Sequence, residues 1–304
     1  MTLPRPLAVS SALLVGALVA WIVAYQRMHG MDAGPGTDLG GLGWYVGIWV
    51  VMMAAMMLPS VAPMVLTFSR ISRERARQRD ATLVPTWIFV AGYLLAWTLY
   101  GLAAYGVFRA LRAAFGGSLS WDGAGPWLAG GAVAFAGLYQ LTPLKRVCLR
   151  HCRGPLHFVL HGWKDGRAGA LRMGLEHGAY CVGCCWGLML ALFALGIMSL
   201  FWMAVIATVI FAEKLLPAGE SLSRSFGIAL VAGGIWVAAA PASVPGLVQP
   251  DSPAAQRARD RMMHMTPSPK MDRMNQMPKP ATKPGMSGSS KMKSMTTQSI
   301  QPKP

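Results

Sequence analysis

Charge is scarce in this chain, and acidic charge scarcest of all. Only 13% of its 304 residues are charged, and 12 are acidic against 28 basic. So little charge beside 54% hydrophobic residues excludes one ordinary water-soluble core that hides all its apolar side chains; lipid has to cover many of them. The net charge of +16 raises the question of nucleic acid. The Lys and Arg residues sit in short runs between apolar stretches rather than on one basic face, so no nucleic-acid partner is expected. No nucleotide-binding loop and no acidic phosphorylation motif occurs, which leaves any transport passive, ion-coupled or dependent on another subunit. Cysteine and histidine are sparse too, at five and six residues, so their placement carries weight.

What the chain does have is long apolar segments. About 20 mainly apolar residues cross a bilayer, and seven segments approach that length: 7–25, 43–68, 84–107, 127–143, 174–195, 198–216 and 226–240. The expected fold is all-α, a polytopic transmembrane helix bundle of about seven spans over residues 1–242, followed by a disordered tail at 243–304. A short join at Gly196 and Ile197 divides the fifth and sixth segments, which can form a tight hairpin. The first segment follows Arg5 as a signal peptide would, but no small-x-small cleavage pattern appears before Tyr25 and Gln26, so it is retained as a helix.

Arg70, Arg73, Arg75, Arg77 and Arg79 crowd one connection, and Lys145, Arg146, Arg150, Arg153, Lys164, Arg167 and Arg172 another two spans later. Basic connections stay on the cytoplasmic side. In a bacterial inner membrane this puts the N-terminus inside and the loop of His29 and Asp32 outside. Parity then places the tail outside, although its ten Lys or Arg would ordinarily argue for the inside.

The tail is rich in Pro, Ser and Lys and poor in branched and aromatic residues, too apolar-poor to offset the entropy of ordering it. Its unusual component is methionine, densest at Met262, Met263 and Met265 around His264. Thioether sulfur is a soft ligand that selects copper(I); compositional drift in a tolerant tail is the plainer account.

The cysteines fall in two groups, each with histidine. Cys148, His151 and Cys152 stand at i, i+3 and i+4, one face of a helix if helix continues there. His177, Cys181, Cys184 and Cys185 fall within roughly a 100° arc at about 100° per residue. Gly174, Gly178, Gly183 and Gly187 occupy much of the remaining surface and allow neighbouring helices to approach closely. Cysteine is also a common small hydrophobe of buried cores. Four of five cysteines at helical spacing, each group with its own imidazole, points instead to a metal ligand set, with copper(I) favoured and zinc compatible. Cys181 and Cys184 also form a Cys-x-x-Cys, the spacing of thiol exchange. A membrane thiol-disulfide oxidoreductase is therefore the competing chemistry, and an assembly factor whose cysteines merely pack is a third reading.

Secondary candidates surround these groups. Met52, Met53, Met56 and Met57 form paired stripes in the second segment, with Pro59 and Pro63 expected to break the helix beyond them. Weak thioether ligands at that spacing suit a copper(I) relay, and equally suit ordinary packing. Glu176, and Glu213 beside Lys214, are ionisable groups at or inside the bilayer boundary and need partners. His157 and His161 stand at i, i+4 in the basic connection.

The blocks MMAAMMLPSVAPM, GLYQLTPLKRVCLRHCRGPL and GLEHGAYCVGCCWGLMLALFALGIMSLFWM together resemble a bacterial family of predicted metal-binding integral membrane proteins, a domain of unknown function. The resemblance spans about residues 43–217. It implies metal binding near Cys148, His151, Cys152, His177, Cys181, Cys184 and Cys185, and neither a reaction nor a transport direction. A copper enzyme or a metallochaperone is the expected partner, besides the lipid bilayer.

Overall fold

Apolar runs bounded by Gly, Pro and basic residues fold here as helices that meet through small side chains. The computed structural model describes residues 5–78, 84–115, 121 and 123–265, with side chains from residue 7 to residue 262. Among the described residues there are ten α-helices and no strand. In chain order these are α1 (Arg5–Met28), α2 (Leu42–Gln78), α3 (Thr86–Phe115), α4 (Gly125–Gln140), α5 (Pro143–Arg153), α6 (Pro155–His161), α7 (Gly166–Gly196), α8 (Leu200–Leu215), α9 (Gly219–Ala239) and α10 (Pro253–Met265).

Five of them, α1, α2, α3, α7 and α9, are long and apolar enough to cross a membrane. The seven expected spans each coincide with a helix, but α4 and α8 have 16 residues apiece, about 24 Å at 1.5 Å per residue and short of a full bilayer core. The join expected at Gly196 and Ile197 is a short connection between α7 and α8: α7 ends at Gly196, whose φ of 123° an L side chain rarely adopts.

Three local features bear on the sequence reading. Pro59 and Pro63 lie inside α2, which runs unbroken for 37 residues; a helix packed on several sides tolerates proline because its neighbours hold the backbone where one bond is lost. The basic connection after α4 is structured. Thr142 caps α5 by accepting from the Lys145 N–H at 3.3 Å, and Pro143 opens the helix, a start signal written directly in the sequence. Finally, α10 is helical within the stretch expected to lack order, packing Ala255 and Ala258 on Ala33 and Val248.

Helix α7 sits at the centre, against α3, α4, α5 and α8, and glycine sets how close they come. A methyl added at Gly174 would fall 2.1 Å from the carbonyl oxygen of Phe89 on α3, and one at Gly178 2.5 Å from the Cβ of Ala96. At Gly183 it would meet the Cys148 sulfur of α5 at 2.9 Å, and at Gly187 the Tyr139 ring of α4 at 3.1 Å. The four glycines lie on two opposite sides of α7, Gly174 and Gly178 toward α3 and Gly183 and Gly187 toward α5 and α4, and on both sides they let neighbouring helices seat closely.

Candidate metal centre

That close approach brings the two cysteine groups together. The Sγ atoms of Cys152, from α5, and of Cys181 and Cys184, from α7, all lie within 4.8 Å of one another. Cys184 Sγ stands 3.6 Å from Cys152 Sγ and 3.2 Å from Cys185 Sγ. Three sulfurs around one ion at a metal–sulfur length of ~2.3 Å are separated by roughly 4 Å, so the cluster has the size of a single three-thiolate site. Cys181, Cys184 and Cys185 are buried and Cys152 half-buried.

The surroundings of the cluster are polar at chosen points. Lys214, buried at the end of α8, directs its ammonium to Cys181 Sγ at 2.8 Å, with Ser60 Oγ of α2 3.5 Å away. Tyr93 Oη of α3 contacts the same sulfur at 3.0 Å. Among the described residues no carboxylate pairs with Lys214, since its sequence neighbour Glu213 is taken by Lys145 of α5 at 2.6 Å, with both partners essentially inaccessible at 0% and 1% exposure. Gln140 of α4 donates to the other Glu213 oxygen at 2.8 Å. The Lys145–Glu213 pair is thus internally neutral, and Lys214 is left as positive charge against sulfur. Sulfur ligates as thiolate, the form that such a cation favours.

The remaining predicted residues divide. His177 is buried one turn before Cys181, with its ring against Phe89, Tyr93 and Phe158, and its Nδ1 has no hydrogen-bond partner. A buried polar nitrogen left without a partner costs free energy, and coordination is one way to recover it. Cys148 lies against Gly183 of α7, outside the three-sulfur group; burial pushes its thiol up from the usual range, with Lys145 pulling the other way. His151 turns away: its ring stacks on Tyr180 at 4.6 Å, Nδ1 meets the Val147 carbonyl oxygen at 2.9 Å, and the side chain is exposed. His157 and His161 stack on each other at 4.3 Å on the exposed side of α6. Glu176 is held by Lys164 and by Arg172 at the rim. Met52, Met53, Met56 and Met57 are all buried in the main core. Met262 is partly buried on α10, while the side chains of Met263, His264 and Met265 lie outside the described residues.

Two contributors escaped the sequence reading. Tyr93 carried no signal, being one aromatic in an apolar span. Lys145 read as a topology marker in a basic connection; only the unsatisfied Glu213 hinted that some lysine had to come inside.

Residues 46–237 match the model of a protein family described as PpoB2, copper chaperone. The chain belongs to this copper-chaperone family. No curated protein and no solved structure matches it. The thiol cluster, Lys214 and the Lys145–Glu213 pair all fall inside the region matched to the copper chaperones, whereas the segment at 7–25 and the methionine-rich tail fall outside it. The donor set is compatible with a copper chaperone: three thiol sulfurs are soft ligands, and the imidazole one turn away is a borderline donor that also suits copper.

Proposed function

We propose that the chain is a multi-pass protein of a bacterial inner membrane that holds copper(I) on Cys152, Cys181 and Cys184 and passes it to a copper enzyme or a further metallochaperone. One observation carries this reading: a sulfur from α5 converges with two from α7 to within 4.8 Å, although 29 residues separate Cys152 from Cys181. In this reading Cys185 and His177 stand ready as alternative ligands, and Cys148 and His151 line the approach from the arginine-rich face. Zinc fits thiolate and imidazole as well, so copper(I) is preferred on the family and on the three-sulfur geometry.

The membrane placement rests on surface chemistry. Leu14, Leu18, Trp87, Trp127, Ile228 and Ile235 are each about half exposed or more, an apolar exterior that water would penalise and lipid would cover. We assign seven spans to 1–242, with α4 and α8 as short members, the arginine-rich connections on the cytoplasmic side and 243–304 as an appended tail.

Protein purified under reducing conditions is expected to carry up to one copper(I) per chain, and C181S/C184S to carry none, by elemental analysis. Competition between copper(I) and zinc on one sample then ranks the metals, and zinc displacing copper(I) would overturn the copper assignment. A second reading, thiol-disulfide exchange, draws on the 3.6 Å approach of Cys152 and Cys184. It predicts a metal-free wild type that cycles between dithiol and disulfide.

A further inference from the structure

Methionine and leucine are sorted differently in this molecule. Every methionine from Met28 to Met203, eleven in all, is buried, whereas leucine is divided, with Leu149, Leu188 and Leu192 buried and Leu14, Leu18, Leu99, Leu128 and Leu138 more than half exposed. The two side chains have similar volume and exchange readily in cores, so filling space does not by itself keep every one of these thioethers inside while leucine is divided between core and surface. Sulfur is the difference between them.

The buried methionines are also placed in line with the thiol cluster. On α2, Ser60 reaches Lys214, which reaches Cys181, fixing which side of α2 faces the cluster. Met53, Met56 and Met57 lie within about 60° of Ser60 around the helix and about 4.5–10.5 Å from it along the axis, away from the arginine-rich end. On α7, Met189 is buried one turn beyond Cys185, and on α8 Met203 shares the buried stripe of Ile206, Ile210 and Lys214. Further on, Met198 lies buried in the α7–α8 connection. Next to it, Gly196 packs so closely on the loop after α1 that a methyl there would sit 3.1 Å from Asp32 Oδ1. Met31, in that loop, lines a cavity of about 650 Å³ together with Trp44, Asp38, Arg112, Arg259 and Met262 of α10.

We infer that these thioethers form a route for a soft monovalent cation between the cavity at the loop end of the bundle and the thiol cluster, with Met53, Met56, Met57 and Met189 as the intermediate ligands. The inference rests on the copper(I) reading of the cluster. Thioethers are neutral and soft enough to take copper(I) from one another, so no fixed negative charge traps the ion along the apolar stretch of α2. Ions that prefer oxygen ligands are poorly served by thioether sulfur. Thiolates, as the stronger soft ligands, make the cluster the end of the route.

The test uses full-length protein in sealed vesicles, with an impermeant copper(I) complex supplied from the side of the loop that carries Met31. M53L/M56L/M57L, volume-conserving and therefore expected to fold, should bind the same amount of copper(I) at equilibrium. It should load the cluster from the loop side at least ~10-fold more slowly, as the loss of intermediate wells raises the barrier, and from the opposite side at the wild-type rate. M189L alone should show the same asymmetry to a smaller degree and covers the case in which the triple variant does not fold. Wild-type loading rates from the loop side in M189L and in any folded triple variant overturn the route while leaving the cluster intact. A wild type that takes up no copper(I) from either side overturns both the route and the reading on which it stands.

Discussion

At the thiol end of the bundle Lys145 and Glu213 meet at 2.6 Å with almost no exposure; at the loop end Arg112 and Asp38 meet at 3.0 Å with side chains 46% and 55% exposed. The two pairs look alike on paper and differ physically. Water competes for the second pair and screens it, so its contribution is small. The first pair has surrendered its hydration, and each partner is tolerated only because the other is present, with Gln140 satisfying the second carboxylate oxygen. The same burial leaves Lys214 facing sulfur rather than carboxylate. Charge at the thiol end is therefore structural and chemical at once, whereas charge at the loop end shapes only the rim of a cavity.

The comparison can be pressed by mutation. Glu213→Gln should have the largest effect, since it strands the Lys145 ammonium in the interior. A loss of roughly 3–5 kcal/mol is expected, visible as a large fall in melting temperature in detergent. Replacing both partners, K145M/E213L, should restore most of that loss, and failure to do so would show that the pair is not isolated from its surroundings. Next, Gly174→Leu should cost at least about 1–3 kcal/mol by overpacking, because its side chain has to displace the α3 backbone at Phe89. Copper(I) binding should fall with it as α3 and α7 separate.

Lys214→Met sharpens the chemical half of the contrast. Loss of the charge-assisted contact to Cys181 should weaken copper(I) affinity on the order of tenfold or more, a hydrogen bond to a charged group being worth roughly 1.5–3 kcal/mol. A chelator-competition titration measures this, and an unchanged affinity would mean that the ammonium does not support the ligand sulfur. Smallest of all, Arg112→Ala or Asp38→Asn should change stability by no more than ~1 kcal/mol. Added salt should blur even that difference, while leaving the Glu213→Gln effect in place.

Much of this could be read from residue patterns. The glycines of 174–187 announced close approach by neighbouring helices, and the i, i+3, i+4 spacings placed the α7 cysteines on one stripe, because helix geometry alone sets those angles. The prolines of α2 misled, because proline breaks a helix by losing one backbone bond, and neighbouring helices on α2 make that loss tolerable. His151 shows what spacing leaves open. At i+3 from Cys148 it shares a face nominally, but its ring stacks on Tyr180 of α7.

Sequence by itself determined that the chain is helical, apolar and supplied with soft donors in two groups, since composition and periodicity are local properties carried by each segment alone. Tertiary structure alone decided which donors meet. Cys152 joins the α7 sulfurs and His151 does not, Lys145 turns inward to Glu213, and Lys214 reaches Cys181. Each of these depends on the distance between helices far apart in the chain, and that distance is set by close packing on glycine and by the cost of burying a charge without a partner.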